Sequence, residues 1–250
     1  MSTFISPPAK ITQPIALITG ASRGLGRALA LQLAKTGAHI IAIARTRGGL
    51  EDLDDSIRAI GGSSTLVEMN VTDFDALDRL GASIYERWGK LDILVGNAAL
   101  LGPITPVNHL DAKSWDQVMA TNVTANWRLL RSMDPLLRLS EHARAVFITS
   151  SASHSCKAYW GPYSISKAAL EALVKTYVAE TQTTSIKTML VNPGRMRTAM
   201  RKAAYPGEEQ DVLPMPETIA AHILPLLHPS STQNGAIFDV PFHLSETITA

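Results

Sequence analysis

Two side chains four residues apart, Tyr163 and Lys167, are candidates for proton-transfer chemistry. They begin a stretch rich in alanine and leucine, whose composition and spacing predict a helix. Residues four apart share one helix face, so the phenol and the ammonium group should be neighbours. A phenol has a pKa of about 10, and a nearby positive charge would lower it. The pair could act as a general acid toward a carbonyl or a base toward an alcohol; the alternative is a surface lysine lying across a tyrosine ring.

A glycine-rich segment from Thr19 to Gly26 follows the first predicted strand. Gly20 would permit a tight turn, Gly24 would let a pyrophosphate approach the backbone, and Gly26 would allow close packing of helix on sheet. The N–H groups and positive dipole end of the next helix would hold phosphate. The spacing Gly-x-x-x-Gly-x-Gly differs from the general Gly-x-Gly-x-x-Gly fingerprint, and a loop without a ligand is the alternative. The predicted phosphate contacts are Gly20, Ser22, Arg23, Gly24, Leu25 and Gly26.

The end of the second predicted strand indicates which dinucleotide binds. An Asp or Glu there would accept hydrogen bonds from the ribose 2′-OH of NAD, but the residue is Ala44. Arg45 and Arg47 follow it, and Arg23 lies in the glycine-rich segment. A guanidinium group can make two charged hydrogen bonds to a phosphate. The sequence therefore favours NADP (NADPH), held by Arg45 and Arg23, while Arg47 is equally well explained as a solvated loop residue.

The composition excludes several classes of protein. The 250 residues carry 23 Lys and Arg against 22 Asp and Glu, and the net charge of +1 argues against nucleic acid or an anionic membrane surface as a partner. With 46% hydrophobic and 18% charged residues, the chain can form a substantial core. No apolar run approaches the roughly 18 residues of a membrane helix, and the first residues do not resemble a secretory signal. A single cysteine, Cys156, fits a reducing, cytoplasmic compartment.

Short β-rich runs alternate with longer stretches of helical spacing. Near-continuous apolar runs in such an alternation predict βαβ units in a parallel sheet that is covered on both faces. Ligands of such sheets bind beyond the carboxyl ends of the strands, where the strand order reverses. The predicted strands span residues 15–19, 39–44, 64–68, 91–95, 145–149, 186–191 and 236–240. The predicted helices span residues 26–35, 113–133 and 163–181, and a last helix begins near Pro216.

Together, the glycine-rich segment and the Tyr163-x-x-x-Lys167 pair resemble the short-chain dehydrogenase/reductase (SDR) family over about residues 15–240. The resemblance implies a single doubly wound, Rossmann-type α/β domain over residues 14–250, after an extension of residues 1–13. Its sheet would be mostly parallel and seven-stranded, between two helix layers. The implied reaction is hydride transfer between the nicotinamide of NADP and a carbonyl or secondary alcohol. Tyr163 would donate or accept the proton, and Lys167 would lower the phenol's pKa and bind ribose hydroxyls.

Other positions match the family in sequence order. Asn122 matches the helix asparagine that holds a water in the proton relay to the lysine. The remaining matches are cofactor contacts by resemblance: beside the adenine, Asn70 and Val71; around the nicotinamide carboxamide, Pro193, Gly194 and Thr198.

Two residues of this sequence could match the family's catalytic serine. Its separation from the tyrosine selects Ser150, thirteen residues before Tyr163, whereas anchoring on the strand selects Ser151. We prefer Ser150 because that separation varies little in the family. Either hydroxyl could hydrogen-bond a substrate oxygen and steady its developing charge.

The fourth strand departs from the family's Asn-Asn-Ala-Gly pattern. It reads Gly96-Asn97-Ala98-Ala99, so the first asparagine and the glycine are both changed. Asn97 and Ala98 are expected to keep their contacts with the cofactor. The backbone contact of Ala99 is left open.

The residues that would select the substrate give no single answer. In the family they lie in the loop after the sixth strand, here about residues 196–215. Arg197 and Arg201 in this loop suit an acidic substrate, whereas its methionines suit an adaptable apolar one. Tyr159 and Trp160, just before the tyrosine motif, are as consistent with a substrate wall as with an interface or the core.

The remaining expectations concern loop residues, assembly and partners. Cys156 and His154 are interpreted as loop residues, and no histidine shows metal-ligand spacing. The helices of residues 113–133 and 163–181 would pair across a twofold axis, as is common in the family, into a homodimer or homotetramer. The partner would otherwise be a small-molecule carbonyl or alcohol. The alternative function is a redox sensor or scaffold that binds a dinucleotide without turnover.

Overall fold

The chain folds around one seven-stranded sheet in which every neighbouring pair of strands is parallel. The computed structural model describes residues 13–241, so the predicted extension of residues 1–13 lies outside the described residues except for Gln13. The strand order is β3-β2-β1-β4-β5-β6-β7. The strands are β1 (Ile15–Thr19), β2 (His39–Ala44), β3 (Ser63–Glu68), β4 (Ile93–Gly96), β5 (Arg144–Ile148), β6 (Lys187–Asn192) and β7 (Ile237–Asp239).

The direction of the strand order reverses beside β1. From β1 the sheet grows outward through β2 and β3 on one side and through β4 to β7 on the other. A crevice therefore opens beyond the carboxyl ends of β1 and β4, which is where doubly wound folds bind their ligands. The predicted doubly wound, Rossmann-type architecture is confirmed.

Helices cover both faces of the sheet. The α-helices are α1 (Gly24–Lys35), α2 (Arg47–Ala59), α3 (Phe74–Trp88), α4 (Ala112–Met119), α5 (Ala125–Leu137), α6 (Ala152–Ser155), α7 (Gly161–Glu180), α8 (Ala199–Ala204) and α9 (Pro216–Ile223). Short 3₁₀ turns span Val107–His109 and Leu224–Leu227. Helices α1, α2 and α9 contribute to one hydrophobic core, and α3, α5 and α7 contribute to the other.

The alternation of side chains along β1 explains why both faces must be covered. Ile15 and Leu17 pack into the core of α3, α5 and α7, whereas Ala16 and Ile18 pack into the core of α1, α2 and α9. All four are fully buried. Successive residues of a strand point to opposite faces, so a continuously apolar strand needs an apolar layer on each side.

One predicted helix is interrupted in the structure. The sequence predicts a single helix over residues 113–133, but a π-helical turn at Ala120–Thr124 separates α4 from α5. The Ala125 N–H donates to the carbonyl oxygen of Ala120, five residues earlier. Single π turns inside α-helices are rare and are frequent at functional sites. This turn carries Asn122.

The end of the described chain follows the sequence closely. Helix α9 begins at Pro216 as predicted, with Glu217 in its first turn, and a 3₁₀ turn containing Pro225 follows it. Proline suits the first helical turn because its missing N–H would have no partner there. Among residues 13–241, no helix has both the length and the apolar character needed to cross a membrane.

Candidate active site

A cavity of about 950 Å³ opens at the carboxyl ends of the central strands. Except for Gly26 and Asn122, every residue predicted to take part in catalysis or cofactor binding lines it: Gly20, Ser22, Arg23, Gly24, Leu25, Arg45, Asn70, Val71, Asn97, Ala98, Ser150, Tyr163, Lys167, Pro193, Gly194 and Thr198. Gly26 and Asn122 lie behind this lining and shape it.

The glycine-rich turn requires glycine at the positions that the sequence indicates. Gly20 has φ +67°, and a β-carbon there would lie 2.9 Å from Asn97 Nδ2. A β-carbon at Gly26 would overlap the Gly20 carbonyl oxygen, so α1 can begin this close to the turn only with glycine. Asn97 fixes the turn by donating from Nδ2 to the Thr19 carbonyl oxygen at 2.9 Å.

The first turn of α1 suits a phosphate group. Helix α1 is 12 residues long and begins at Gly24, and no side chain caps its N-terminus. Its first N–H groups are therefore free to donate into the cavity, where the helix dipole also favours negative charge. Gly24, with φ +56°, brings the backbone to the cavity surface without a side chain. These features fit the pyrophosphate of a dinucleotide.

The end of the cavity near β2 and β3 carries positive charge. Arg45 lines it and forms no ion pair among residues 13–241. Arg47 points elsewhere, because its Nε pairs with Glu51 at 2.8 Å and the side chain does not line the cavity. The sequence reading missed Arg27, which follows the glycine turn, lines the cavity and donates to Ser56 at 2.9 Å. Its position one residue after Gly26 could have indicated from the sequence that Arg27 lies at the cavity.

Tyr163 and Lys167 are both buried beside the cavity, and Lys167 Nζ lies 5.7 Å from the centre of the Tyr163 ring. Burial raises the pKa of Tyr163 to about 12, while the nearby Ser150 side chain acts in the opposite direction and lowers it. The prediction that Lys167 brings this pKa below its usual value is wrong, because desolvation of the phenolate is the larger effect. At neutral pH the phenol is therefore protonated and able to donate.

The Lys167 ammonium group is held at the end of β5. Its Nζ donates to the carbonyl oxygen of Ile148 at 2.6 Å. Burial lowers the pKa of Lys167 to about 8, and the carboxylate of Glu171 acts in the opposite direction and raises it. The lysine thus titrates far closer to neutral pH than an exposed lysine does.

Glu171 ties the catalytic helix to the loop that carries the serine. Its carboxylate is buried and accepts hydrogen bonds from Thr149 Oγ1 at 2.7 Å and from Ser153 Oγ at 2.6 Å. His154 Nε2 lies 3.1 Å from the same carboxylate. His154 is therefore neither a free loop residue nor part of the cavity lining. The sequence analysis did not identify Glu171, although its position one helical turn after Lys167 could have indicated that it lies near the lysine.

The structure distinguishes the two serines. Both line the cavity, and the Ser150 side chain lies close enough to the Tyr163 phenol to lower its pKa. The Ser150 hydroxyl also accepts from the Ala152 N–H at 3.2 Å, which orients it. Ser151 is exposed. The thirteen-residue separation selects the serine that faces the phenol.

Asn122 is fully buried and holds the π turn against the loop after β4. Its Oδ1 accepts from the Leu100 N–H at 2.8 Å, and its Nδ2 donates to the Leu100 carbonyl oxygen at 2.9 Å. Nδ2 also lies 2.9 Å from Ser166 Oγ. This side chain joins three parts of the site: the π turn, the β4 loop and helix α7.

The side chains around Gly96 explain why glycine replaces the first asparagine of the family's Asn-Asn-Ala-Gly pattern. A β-carbon there would overlap the ring of Phe147 and would lie 2.7 Å from Asn126 Oδ1. Asn126, one turn after Asn122, donates from Nδ2 to the Asn122 carbonyl oxygen at 2.8 Å. An amide from the helix thus occupies the space beside β4, and only glycine fits opposite it.

Two aromatic rings form one wall of the cavity near Tyr163. Trp160 and Tyr205 line the cavity with their ring centres 5.5 Å apart, and the Trp160 ring meets the Tyr163 ring edge to face at 6.0 Å. Tyr159 does not line the cavity and is 56% exposed. Cys156 is exposed as well. Of the two aromatics that the sequence left undecided, only Trp160 reaches the site.

The charged side chains of the substrate loop bind one another. Arg201 makes two contacts of 2.5 Å with Glu208. Arg197 donates to the backbone carbonyl oxygen of Gln210 at 2.9 Å and pairs with Asp211 at 3.1 Å. Within the described part of the chain, no group of three or more His, Cys, Asp or Glu side chains is arranged to hold a metal ion.

Comparisons with known proteins agree with this geometry. A family model described as short chain dehydrogenase matches residues 14–209. The uncharacterized oxidoreductase YciK of Escherichia coli K12 is 32% identical over 90% of both chains. Sepiapterin reductase of Chlorobaculum tepidum is 30% identical over 87% of this chain and 92% of its own. The crystal structure of a short chain dehydrogenase of Shigella flexneri complexed with NADP has a TM-score of 0.87 and 31% identity, and the match covers 92% of this chain and 98% of that one.

Proposed function

Because the chain belongs to the short-chain dehydrogenase family, we propose that it is an NADP-dependent oxidoreductase that acts on a carbonyl or a secondary alcohol. One observation carries the proposal. Tyr163, Ser150 and Lys167 meet at one end of a cavity whose other end has an uncapped helix N-terminus and the guanidinium group of Arg45. When bound, the nicotinamide supplies or takes up the hydride.

In the reducing direction, Tyr163 is the proton donor. Its phenol is protonated at neutral pH, and burial, which raises its pKa to about 12, extends that protonation to higher pH. A substrate oxygen that gains negative charge becomes a strong base and can take this proton. Ser150, whose side chain lies beside the phenol, is placed to donate to the same oxygen and to orient the carbonyl.

Lys167 supplies positive charge and ribose contacts. Its ammonium group is fixed to the Ile148 carbonyl oxygen and faces the Tyr163 ring. In this position it steadies negative charge on the phenol when the proton leaves and can donate to ribose hydroxyls. Both side-chain polar atoms of Asn122 are already engaged by Leu100 and Ser166, and its backbone carbonyl oxygen accepts from Asn126 Nδ2. A carbonyl oxygen has two lone pairs, so the part of Asn122 in a proton relay would run through the second lone pair of that oxygen.

Several contacts favour NADP over NAD. Ala44 ends β2 without a carboxylate that would repel a 2′-phosphate, and Arg45, which has no ion-pair partner among residues 13–241, lines the cavity next to it. The Shigella flexneri structure complexed with NADP supports the same choice. Asn70 and Val71 line the adenine end, and Pro193, Gly194 and Thr198 line the nicotinamide end.

Two further properties concern assembly and location. We expect a homodimer or homotetramer in which the α4–α5 segment and α7 pair with a second copy, and Trp127 and Ile165 leave apolar surface exposed on these helices. We also expect a cytoplasmic location, since the single cysteine suits a reducing compartment.

The direct test is a panel of aldehydes, ketones and secondary alcohols, each with NADPH or NADP and followed at the absorbance band of the reduced nicotinamide. Substrate-dependent oxidation of NADPH supports the proposal. Tight binding of NADPH without turnover of any compound would instead favour a dinucleotide sensor.

A further inference from the structure

The substrate side of the cavity contains a fixed aromatic surface formed by Trp160 and Tyr205, here called the aromatic platform. Both rings are partly exposed, and both line the cavity. The platform begins beside the catalytic phenol, because the Trp160 and Tyr163 ring centres are 6.0 Å apart. A flat group bound there would have its nearest carbon atoms next to the proton donor.

The backbone holds Trp160 in place. Trp160 forms an isolated parallel β-bridge with Thr105, and the Thr105 N–H donates to the Tyr159 carbonyl oxygen at 3.0 Å. Tyr159 has φ +73°, a conformation that side-chain-bearing residues adopt at some cost in free energy. The chain thus accepts strain at Tyr159 immediately before the residue that reaches the cavity.

Tyr205 is held by the substrate loop. The Arg201 guanidinium group lies 3.9 Å from the centre of its ring, and the Tyr205 N–H donates to the Arg201 carbonyl oxygen at 2.9 Å. Arg201 is itself anchored by its two contacts with Glu208. Neither ring depends on a substrate to take up its position, so these side chains lose little conformational entropy when a ligand binds.

The cations near the platform are largely neutralised within the protein. Glu208 forms an ion pair with Arg201 and lies 3.8 Å from Arg195, and Asp211 forms an ion pair with Arg197. Lys157 also lines the cavity, but it is exposed, so solvent screens its charge, and the exposed Glu217 opposes it. A substrate carboxylate would have to compete with Glu208 or Asp211 for the arginines.

From these observations we propose that the site accepts uncharged carbonyl compounds carrying a flat aromatic or heteroaromatic ring, which lies on the aromatic platform. The inference rests on the proposed function and names its substrate class. The carbonyl carbon gains a hydride from NADPH, the oxygen gains the Tyr163 proton, Tyr163 regains a proton from solvent, and an alcohol and NADP remain. Met200 and Met215 also line the cavity, and their flexible side chains can adapt to different ring substituents.

Three ketones of similar size separate the features that the platform should recognise. Acetophenone is flat and uncharged, cyclohexyl methyl ketone is uncharged but not flat, and 4-acetylbenzoate is flat but anionic. We expect kcat/KM for acetophenone to exceed that of each of the other two about tenfold. Trp160→Ala and Tyr205→Leu should remove the preference for acetophenone over cyclohexyl methyl ketone.

Matched variants distinguish loss of the aromatic platform from a general loss of activity. Tyr159→Asn removes an exposed aromatic neighbour outside the cavity, with a residue that tolerates positive φ, and should leave the preference unchanged. Glu208→Gln should raise kcat/KM for 4-acetylbenzoate severalfold, since it releases positive charge on Arg201. Equal kcat/KM for acetophenone and cyclohexyl methyl ketone in the wild type would overturn the platform while leaving the proposed function intact.

Binding measurements keep the inference testable without turnover. Calorimetric titration of the Tyr163→Phe variant with the same ketones, in the presence of NADPH, should show tighter binding of acetophenone than of cyclohexyl methyl ketone. That preference would support the platform even if no ketone were reduced. The absence of reduction would count against the proposed function and not against the platform. Equal affinities would overturn the platform.

Discussion

Lys167 donates a hydrogen bond of 2.6 Å to the backbone carbonyl oxygen of Ile148. Ile148 is the last residue of β5, and Ser150 follows it two residues later, so one contact connects the helix that carries Tyr163 with the strand that leads to Ser150. The lysine is buried, and its pKa is lowered to about 8 by burial. Its charge therefore depends on pH in a range where enzymes are assayed.

Glu171→Gln should shift the pH dependence of carbonyl reduction. The Glu171 carboxylate raises the pKa of Lys167, so its removal lets burial lower that pKa further. The lysine would then lose its charge at lower pH, and the alkaline decline of kcat/KM should move down by about one pH unit. Glu180→Gln, an exposed change on the same helix, should leave the profile in place. Superimposable profiles for Glu171→Gln and the wild type would show that Lys167 does not limit the reaction.

Ser150→Ala should reduce kcat far more than Ser151→Ala. The Ser150 side chain lies beside the Tyr163 phenol and is placed to donate to the substrate oxygen, whereas Ser151 is exposed. Loss of a donor to a developing oxyanion costs roughly 100- to 1000-fold in kcat. Steady-state rates of both variants with one ketone and NADPH give the comparison. If Ser151→Ala reduced kcat more than Ser150→Ala, the position after the strand, and not the separation from Tyr163, would identify the catalytic serine.

Arg45→Ala should weaken NADPH binding and leave NADH binding nearly unchanged. Arg45 lines the cavity without an ion-pair partner among residues 13–241, so its guanidinium group is free for a 2′-phosphate. Loss of a charged hydrogen bond costs about 1.5–3 kcal/mol, or roughly ten- to a hundredfold in affinity. Fluorescence titration with both reduced cofactors measures it. Arg47→Ala is the matched control, since Arg47 pairs with Glu51 outside the cavity; equal NADPH and NADH affinities in the wild type would refute the assignment.

Gly96→Ala should destabilise the fold. The new methyl group would meet the Phe147 ring and Asn126 Oδ1, and overpacking of a core costs about 1–3 kcal/mol of unfolding free energy. Gly48→Ala in the first turn of α2 is the control, because a β-carbon there meets no atom within 4 Å. Urea denaturation of both variants tests the difference. If Gly96→Ala were as stable as the wild type, the close packing of Asn126 beside β4 would not explain the departure from the family's asparagine.

Much of this architecture could be predicted from the sequence, for physical reasons that differ by element. Strands β1 and β2 have the predicted bounds because apolar runs covered on both faces leave little freedom in register. The glycine turn was predictable because its φ angles demand glycine at Gly20 and Gly24. The π turn at Ala120–Thr124 was not, since it depends on the hydrogen bonds of Asn122 to Leu100, a partner distant in sequence.

The electrostatics of the site were the least predictable. The spacing of Tyr163 and Lys167 indicates their proximity but not their burial, and burial decides the direction of the phenol's pKa shift. The loop arginines looked available for an acidic substrate because the sequence does not show that Glu208 and Asp211 fold back onto them. Trp160 and Tyr159 are adjacent in sequence, yet only the three-dimensional path of the chain turns one of them into the cavity.

The central claim is that Tyr163 donates the proton in an NADPH-dependent carbonyl reduction, and Tyr163→Phe tests it most directly. The variant keeps the ring that packs against Trp160 and removes only the hydroxyl group. The measurement is ketone-dependent oxidation of NADPH by the wild type and the variant, with NADPH affinity determined on the same samples. We expect kcat to fall about 100- to 10,000-fold while the affinity for NADPH changes little. Near-normal turnover by Tyr163→Phe would contradict the claim.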